Sequence, residues 1–116
     1  MTAEDFRRLA LSFPDAVESA HMGHPDFRVG GKIFATLTAD GANGMVRLSP
    51  FDQSWLMRAE PTVFSPASGA WGRAGATMVN LRHAKKTRMR EALSIAWEQR
   101  APKSLLKSLA RDTPPE

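Results

Sequence analysis

Apolar and polar residues alternate through the middle of the chain in short segments that glycine-rich turns separate. Phe27 and Val29 alternate with Asp26 and Arg28, and the segments 33–38 and 45–49 read as further strands, with turns at Gly30-Gly31 and at 40–44. Alternation with a period of two indicates strands that bury one face. Because connections this short join neighbouring antiparallel strands, the pattern predicts an antiparallel meander.

Helical periodicity flanks this central region. Phe6, Leu9 and Phe13 recur at helical spacing, and Thr2 followed by Asp5 resembles a capping box at the start of that helix. Further helices are predicted at 51–59, at 83–99 and after Pro102, with strands at 63–64 and 76–81 and loops at 66–70 and 71–75. This order predicts a two-layer α+β domain in which helices pack on one antiparallel sheet.

The length of 116 residues and the absence of cysteine bound the fold further. A chain of this size can bury a sufficient core without cross-links, and disulfides, thiolate metal sites and cysteine nucleophiles are excluded. We predict one domain over residues 1–111 and a short flexible tail over 112–116, where two prolines occur. No secretory signal and no apolar run of ~18 residues is visible, so the predicted location is cytoplasmic.

Positive charge is concentrated in the second half of the chain. Residues 1–60 hold six Lys/Arg against eight Asp/Glu, and residues 61–116 hold ten against four, so the halves carry −2 and +6. Such asymmetry is typical of a protein with a surface for polyanions. A soluble protein that happens to be basic is the alternative.

One basic run lies near the start of the long predicted helix. The acid-free segment 82–90 contains Arg82, His83, Lys85, Lys86, Arg88 and Arg90. Spacing by four predicts that Arg82, Lys86 and Arg90 share a helical face. This face suits phosphate contact, because a helix N-terminus adds free N–H donors and partial positive charge. A solvated helix face is the alternative.

Other cations and one tryptophan can extend such a surface. Arg28, Lys32 and Arg47 fall on predicted strands or at a hairpin, where their side chains can project toward a nucleic-acid backbone. Trp71 beside Arg73 can stack on a base and pair with a phosphate. Ordinary strand polarity and a tryptophan that caps the sheet are the alternatives.

The sequence gives little support for catalysis or metal binding. It contains no Gly-x-Ser-x-Gly motif, Walker motif or dinucleotide fingerprint, and its carboxylates are scattered. Gly23 and Pro25 oppose a helix around His21 and His24, and odd spacing on one strand would place their rings on opposite faces. We therefore predict no enzyme activity, no catalytic residue, no metal site and no cofactor.

Several short motifs together resemble a known family. They are Leu11-Ser12-Phe13-Pro14, His21-Met22-Gly23-His24-Pro25-Asp26-Phe27, Phe64-Ser65-Pro66, Val79-Asn80-Leu81 and Ala101-Pro102-Lys103. Their order and spacing, from residue 3 to residue 110, resemble the MmcQ/YjbR-like proteins. The resemblance implies an α–β3–α–β2–α fold like that of secretion chaperones. It also implies DNA as a partner, because members are described as DNA-binding proteins with a double wing.

These observations together predict a nucleic-acid-binding protein that contacts phosphates through a basic helix face and strand residues. The predicted contact residues are Lys85, Lys86, Arg88, Arg90, Arg82, Arg28, Lys32, Arg73 and Trp71. Two other functions remain open: a chaperone-like or homodimeric protein-interaction module, and a small-ligand binder with a pocket near Trp71. No membrane partner is predicted, and monomer and homodimer are both compatible with the sequence.

Overall fold

The strands form one six-stranded antiparallel sheet in a computed structural model that describes residues 1–112. The elements are α1 (Ala3–Leu11), β1 (Val17–His21), β2 (His24–Val29), β3 (Lys32–Leu37), β4 (Asn43–Arg47), α2 (Pro50–Ala59), β5 (Phe64–Pro66), α3 (Gly69–Arg73), β6 (Ala76–Asn80), α4 (Lys86–Arg100) and α5 (Lys103–Asp112). None of the helices within residues 1–112 has the length and apolar character needed to cross a membrane. The predicted tail residues 113–116 lie outside the described residues.

The sheet has the strand order β1-β2-β3-β4-β6-β5, and every neighbouring pair is antiparallel. The predicted two-layer α+β class is confirmed, and strands β1 to β4 form the predicted meander. Strand β1 adds a fourth strand before α2. Every residue of β1 is exposed, so this strand lacks the alternation that revealed its neighbours.

The first helix begins at the predicted capping box. The Asp5 backbone N–H donates to Thr2 Oγ1, and the Thr2 backbone N–H donates to Asp5 Oδ2, each at 3.0 Å. The backbone hydrogen bond from Thr2 lowers the pKa of Asp5 below its ordinary value. Phe6 is fully buried against β4, where a Cβ on Gly44 would lie 2.7 Å from its ring. The cap and this contact fix α1 on the sheet.

One face of the sheet is covered by α1 and α4. Phe27, Ala35 and Val46 are directly paired across β2, β3 and β4, and all three are fully buried. Helix α4 turns its buried side chains, Met89, Ala92, Leu93, Ala96 and Trp97, toward the same core. This layer is the hydrophobic core that the sequence periodicity predicted.

The opposite face of the sheet carries a second row of side chains. Successive residues of a strand point to opposite faces, so the residues next to the buried row point away from the helices. Asp26, Thr36, Met45 and Met78 are paired across β2, β3, β4 and β6 in this second row. The sheet therefore has a core face and an open face.

Helix α4 begins later than its basic run suggested. It starts at Lys86, and Lys85 is its N-cap. Arg82 lies in a turn that Asn80 closes: Asn80 Oδ1 accepts a hydrogen bond from the Arg82 N–H at 3.1 Å. Because this turn precedes the helix, Arg82 does not share a helical face with Lys86 and Arg90, and that part of the prediction is wrong.

A short helix, α3, replaces part of the loop predicted over 66–75. Gly72 permits it, because a Cβ there would lie 1.7 Å from the Ala67 carbonyl oxygen. The buried side-chain amide of Gln53 donates to the carbonyl oxygens of Gly72 and Ala76 at 3.0 and 3.1 Å. These contacts fix α3 beside α2 and β6.

Gly75 is packed closely against Leu48, the residue that follows β4, and a substitution can test this packing. Its φ is +113°, and a Cβ there would lie 1.9 Å from the Leu48 carbonyl oxygen. Gly75→Ala is expected to reduce the free energy of unfolding by about 3 kcal/mol or more, because backbone strain adds to displacement of β4. Chemical denaturation monitored by circular dichroism measures the loss.

Gly23→Ala is the matched control for that variant. Gly23 also has a positive φ, +80°, but a Cβ there meets nothing within 4 Å. The control is expected to lose roughly 1 kcal/mol, the cost of the left-handed conformation alone. Equal losses in the two variants would contradict the close packing at Gly75.

Candidate functional site

The open face of the sheet forms the floor of a cleft of about 690 Å³. Thr36, Met45 and Met78 contribute to this floor from β3, β4 and β6, and Ile33 extends it along β3. Most of the floor is apolar, and among residues 1–112 the helices contribute only Trp71 and Arg100 to the lining. An apolar cleft with charged residues at its border is typical of a ligand site.

Side chains from several elements bring positive charge to the cleft. Arg28, Lys32, Arg47 and Arg100 line it, from β2, β3, β4 and the end of α4 respectively. Asp26 is the one acid among the described residues that line it. Within residues 1–112, Lys32, Arg47 and Arg100 form no ion pair with a carboxylate. The cleft therefore carries positive charge that a bound anion can compensate.

Asp26 forms an ion pair with Arg28, one of the four cations that line the cleft. Arg28 Nε donates to Asp26 Oδ1 at 2.8 Å, and Arg28 Nη2 donates to Asp26 Oδ2 at 3.0 Å. The Asp26 side chain is almost fully buried, whereas that of Arg28 is about one-third exposed. The hydrogen bonds to Asp26 raise the pKa of Arg28. This two-point contact fixes the orientation of the Arg28 guanidinium at the cleft wall.

Arg47 and Trp71 form a second pair in the cleft. The Arg47 Cζ lies 4.7 Å from the centre of the Trp71 ring, within the range of a cation–π contact. Burial lowers the pKa of Arg47, and the nearby charge of Arg100 lowers it further. Trp71 is nevertheless 61% exposed. The indole thus has a guanidinium on one side and a large surface open to solvent.

The β1–β2 hairpin carries two histidines to the cleft. Met22 and Gly23 both have positive φ values, 51° and 80°, as a two-residue type I′ turn requires. This turn reverses the chain, so His21 and His24 are directly paired across the two strands. Both line the cleft. They lie on two different strands, so the separation of faces expected for odd spacing on one strand does not apply to them.

The start of α4 has a different electrostatic environment. Arg88 Nε donates to Glu60 Oε2 at 2.9 Å, and its guanidinium also donates to Glu91. These hydrogen bonds raise the pKa of Arg88, and the one that Glu91 accepts has the largest effect. Lys86 Nζ lies 3.9 Å from Asp5 Oδ1. The distant acids Asp5 and Glu60, together with the adjacent Glu91, therefore lie beside two of the cations of the basic run.

The predicted contact residues consequently divide into separate groups. Arg28, Lys32 and Trp71 line the cleft, and Arg73 is exposed on α3. The remaining five lie at the beginning of α4 or in the turn before it: Arg82, Lys85, Lys86, Arg88 and Arg90. The 15 residues of α4 span about 22 Å, and its far end carries Arg100 into the cleft.

Sequence patterns did not identify every residue of the cleft. Arg100 comes directly after the predicted helix 83–99, and no neighbouring residue indicates a site there. Met45 and Met78 fall in predicted strands and have no feature that distinguishes them from ordinary strand residues. The alternation in β4 could have placed Met45 and Arg47 on one face. Within residues 1–112, no group of three or more His, Cys, Asp or Glu side chains is arranged to hold a metal ion.

Asp26→Asn tests the buried ion pair. The change keeps the shape of the side chain but removes the charge that Arg28 contacts, so we expect a loss of about 2 kcal/mol in the free energy of unfolding. Urea denaturation measures it. Glu4→Gln is the control, because it removes an exposed carboxylate that pairs with Arg7 and should cost less than about 0.5 kcal/mol. Equal costs would contradict a structural role for Asp26.

Comparisons with known proteins agree with this architecture. The crystal structure of Deinococcus radiodurans protein DR2400, which has a DUF419 domain, is similar with a TM-score of 0.70 at 18% identity, over 83% of this chain and 75% of that one. At this identity the likeness shows the fold alone. No curated protein matches the chain. A model of the YjbR family matches residues 11–99, which is most of the chain, and the chain therefore belongs to the YjbR family.

Proposed function

We propose that this protein binds nucleic acid in the cleft on the open face of the sheet. The observation that carries the proposal is the convergence of three cations, Lys32, Arg47 and Arg100, around an apolar floor and the exposed indole of Trp71; none of the three has an ion-pair partner within residues 1–112. Phosphate groups supply the charge that these cations lack, and bases supply planar apolar surfaces. A nucleic acid combines both properties in one ligand.

The electrostatics of Arg47 support an anionic ligand. Burial and the neighbouring Arg100 both disfavour its charged form, yet within residues 1–112 no carboxylate forms an ion pair with it. Two like charges held near each other in a partly buried site attract an anion more strongly than two solvated surface cations do. A phosphate bound between them would relieve their mutual repulsion.

The start of α4 is a weaker candidate for phosphate binding. Two of its cations, Lys86 and Arg88, lie beside acids, and Arg88 is held by two of them. Lys85, Arg82 and Arg90 are exposed and form no ion pair within residues 1–112. We expect these three cations to make supplementary contacts with a long ligand and not to form its primary site.

A small anionic ligand is the second candidate for the same cleft. The cleft volume of about 690 Å³ lies within the ~300–1,000 Å³ of small-molecule sites. Nucleic acid is favoured because the cleft is open along the sheet and because cations from separate elements line it. By contrast, large exposed apolar residues such as Leu11, Val17 and Phe51 lie on different elements, so no observation favours a protein-interaction module.

Two double variants with the same net charge test where nucleic acid binds. Lys32→Gln/Arg100→Gln removes charge from the cleft, and Lys85→Gln/Arg90→Gln removes it from the start of α4; each changes the formal net charge from +4 to +2. We expect the cleft variant to lose at least about tenfold in affinity and its log–log salt slope to fall by roughly 0.7–0.9 per lost phosphate contact. Fluorescence anisotropy with labelled oligonucleotides at several salt concentrations measures both.

The variant at the start of α4 should lose much less affinity, because it removes only supplementary contacts while lowering the overall charge of the protein by the same amount. Circular dichroism melting curves establish that both variants remain folded. A larger loss in the α4 variant would transfer the primary site to that helix. No binding of the unaltered protein to any nucleic acid, even at low salt, would refute the proposal.

A further inference from the structure

We infer that the unit recognised in the cleft is an unpaired nucleotide, so that the protein binds single-stranded nucleic acid in preference to duplex. This inference rests on the proposed function and specifies the form of its ligand. It follows from three features of the cleft: its apolar floor, the uncovered surface of Trp71 and the partly buried position of Arg47.

The floor of the cleft requires a ligand with an apolar face. Ile33, Met45 and Met78 line it. A duplex presents charged phosphates and sugar to a protein surface, while its base faces remain stacked on one another. An unpaired base offers a free planar face that can cover the methionine side chains.

Trp71 provides a stacking surface for such a base. Arg47 covers the ring from one side at 4.7 Å, and the residue is still 61% exposed. The backbone next to the ring is closely packed as well, because Gly72 has no room for a side chain beside Ala67 and the Gln53 amide donates to the Gly72 carbonyl oxygen. An indole has only two side-chain torsions, so it loses little conformational entropy when a base stacks on it.

Arg47 provides the matching phosphate contact at the base of the cleft. It lies in β4 directly after the buried Val46 and is only partly accessible. The backbone of a single strand is flexible enough to follow the floor to this depth. The phosphates of a rigid duplex contact the exposed Lys32 more readily than the half-buried Arg47 and Arg100.

The test compares labelled oligothymidylate of about 12 nucleotides with a duplex of the same length, a span within reach of single-strand binding domains. Fluorescence anisotropy at low salt is expected to show at least about tenfold tighter binding of the single strand, because one stacked base contributes roughly 1–3 kcal/mol and 1.4 kcal/mol is tenfold. Trp71→Ala should reduce single-strand affinity by about tenfold or more and leave duplex affinity nearly unchanged. Trp71→Phe should restore most of the preference, because phenylalanine also stacks.

Phe51→Ala is the matched control, since Phe51 is another exposed aromatic residue, 77% accessible, that does not line the cleft. It should leave both affinities unchanged. A duplex bound as tightly as the single strand would overturn this inference while leaving the proposed function intact. Competition by thymidine monophosphate as effective as that by the strand would also overturn it, in favour of a free nucleotide. Failure of both oligonucleotides to bind would refute the proposed function itself.

Discussion

The packing of α1 and α4 against one face of the sheet determines the rest of this structure. The buried row Phe27, Ala35 and Val46 lies against these helices, and the alternation of strand residues then sends the next row to the other face. Among residues 1–112, the helices contribute only Trp71 and Arg100 to the lining of the cleft on that face. The cleft is therefore a consequence of a two-layer fold, and its floor is the reverse side of the sheet that carries the core.

The distribution of charge is the clearest instance of structure changing a conclusion from sequence. The second half of the chain carries a net charge of +6, yet Glu60 from the first half holds Arg88, and Asp5 lies near Lys86. Conversely, the acidic first half contributes Arg28, Lys32 and Arg47 to the cleft, where Arg100 joins them. Spatial neighbours, and not the sum along the chain, decide where a polyanion can bind.

The sequence predicted elements whose signals are local and missed those that depend on distant contacts. The capping box at Thr2, the meander and the apolar periodicity of α4 each depend on residues a few positions apart. Helix α3 was missed because five residues that include two glycines resemble a loop until Gln53 bonds to them. The N-terminus of α4 was misplaced because Lys85 makes no side-chain capping bond, so no residue type marks the boundary.

The candidate site was only partly predictable for the same reason. Arg28, Lys32 and Trp71 could be chosen by residue type, but the row from Asp26 to Met78 spans 53 positions of the chain, and only the strand order brings it together. The strand order places β6 beside β4 in the sheet, although α2, β5 and α3 lie between these two strands in the chain. Arg100 enters the cleft because α4 crosses the sheet and ends there.

The most direct test of the cleft as a nucleic-acid site is an amide chemical-shift titration of the labelled protein with oligothymidylate. Binding in the cleft predicts that the largest shifts occur at the Trp71 indole N–H and at the backbone amides of β3 and β4 near Thr36, Met45 and Arg47, with small changes at residues 82–90. The largest shifts at residues 82–90, with the Trp71 signal unmoved, would contradict it.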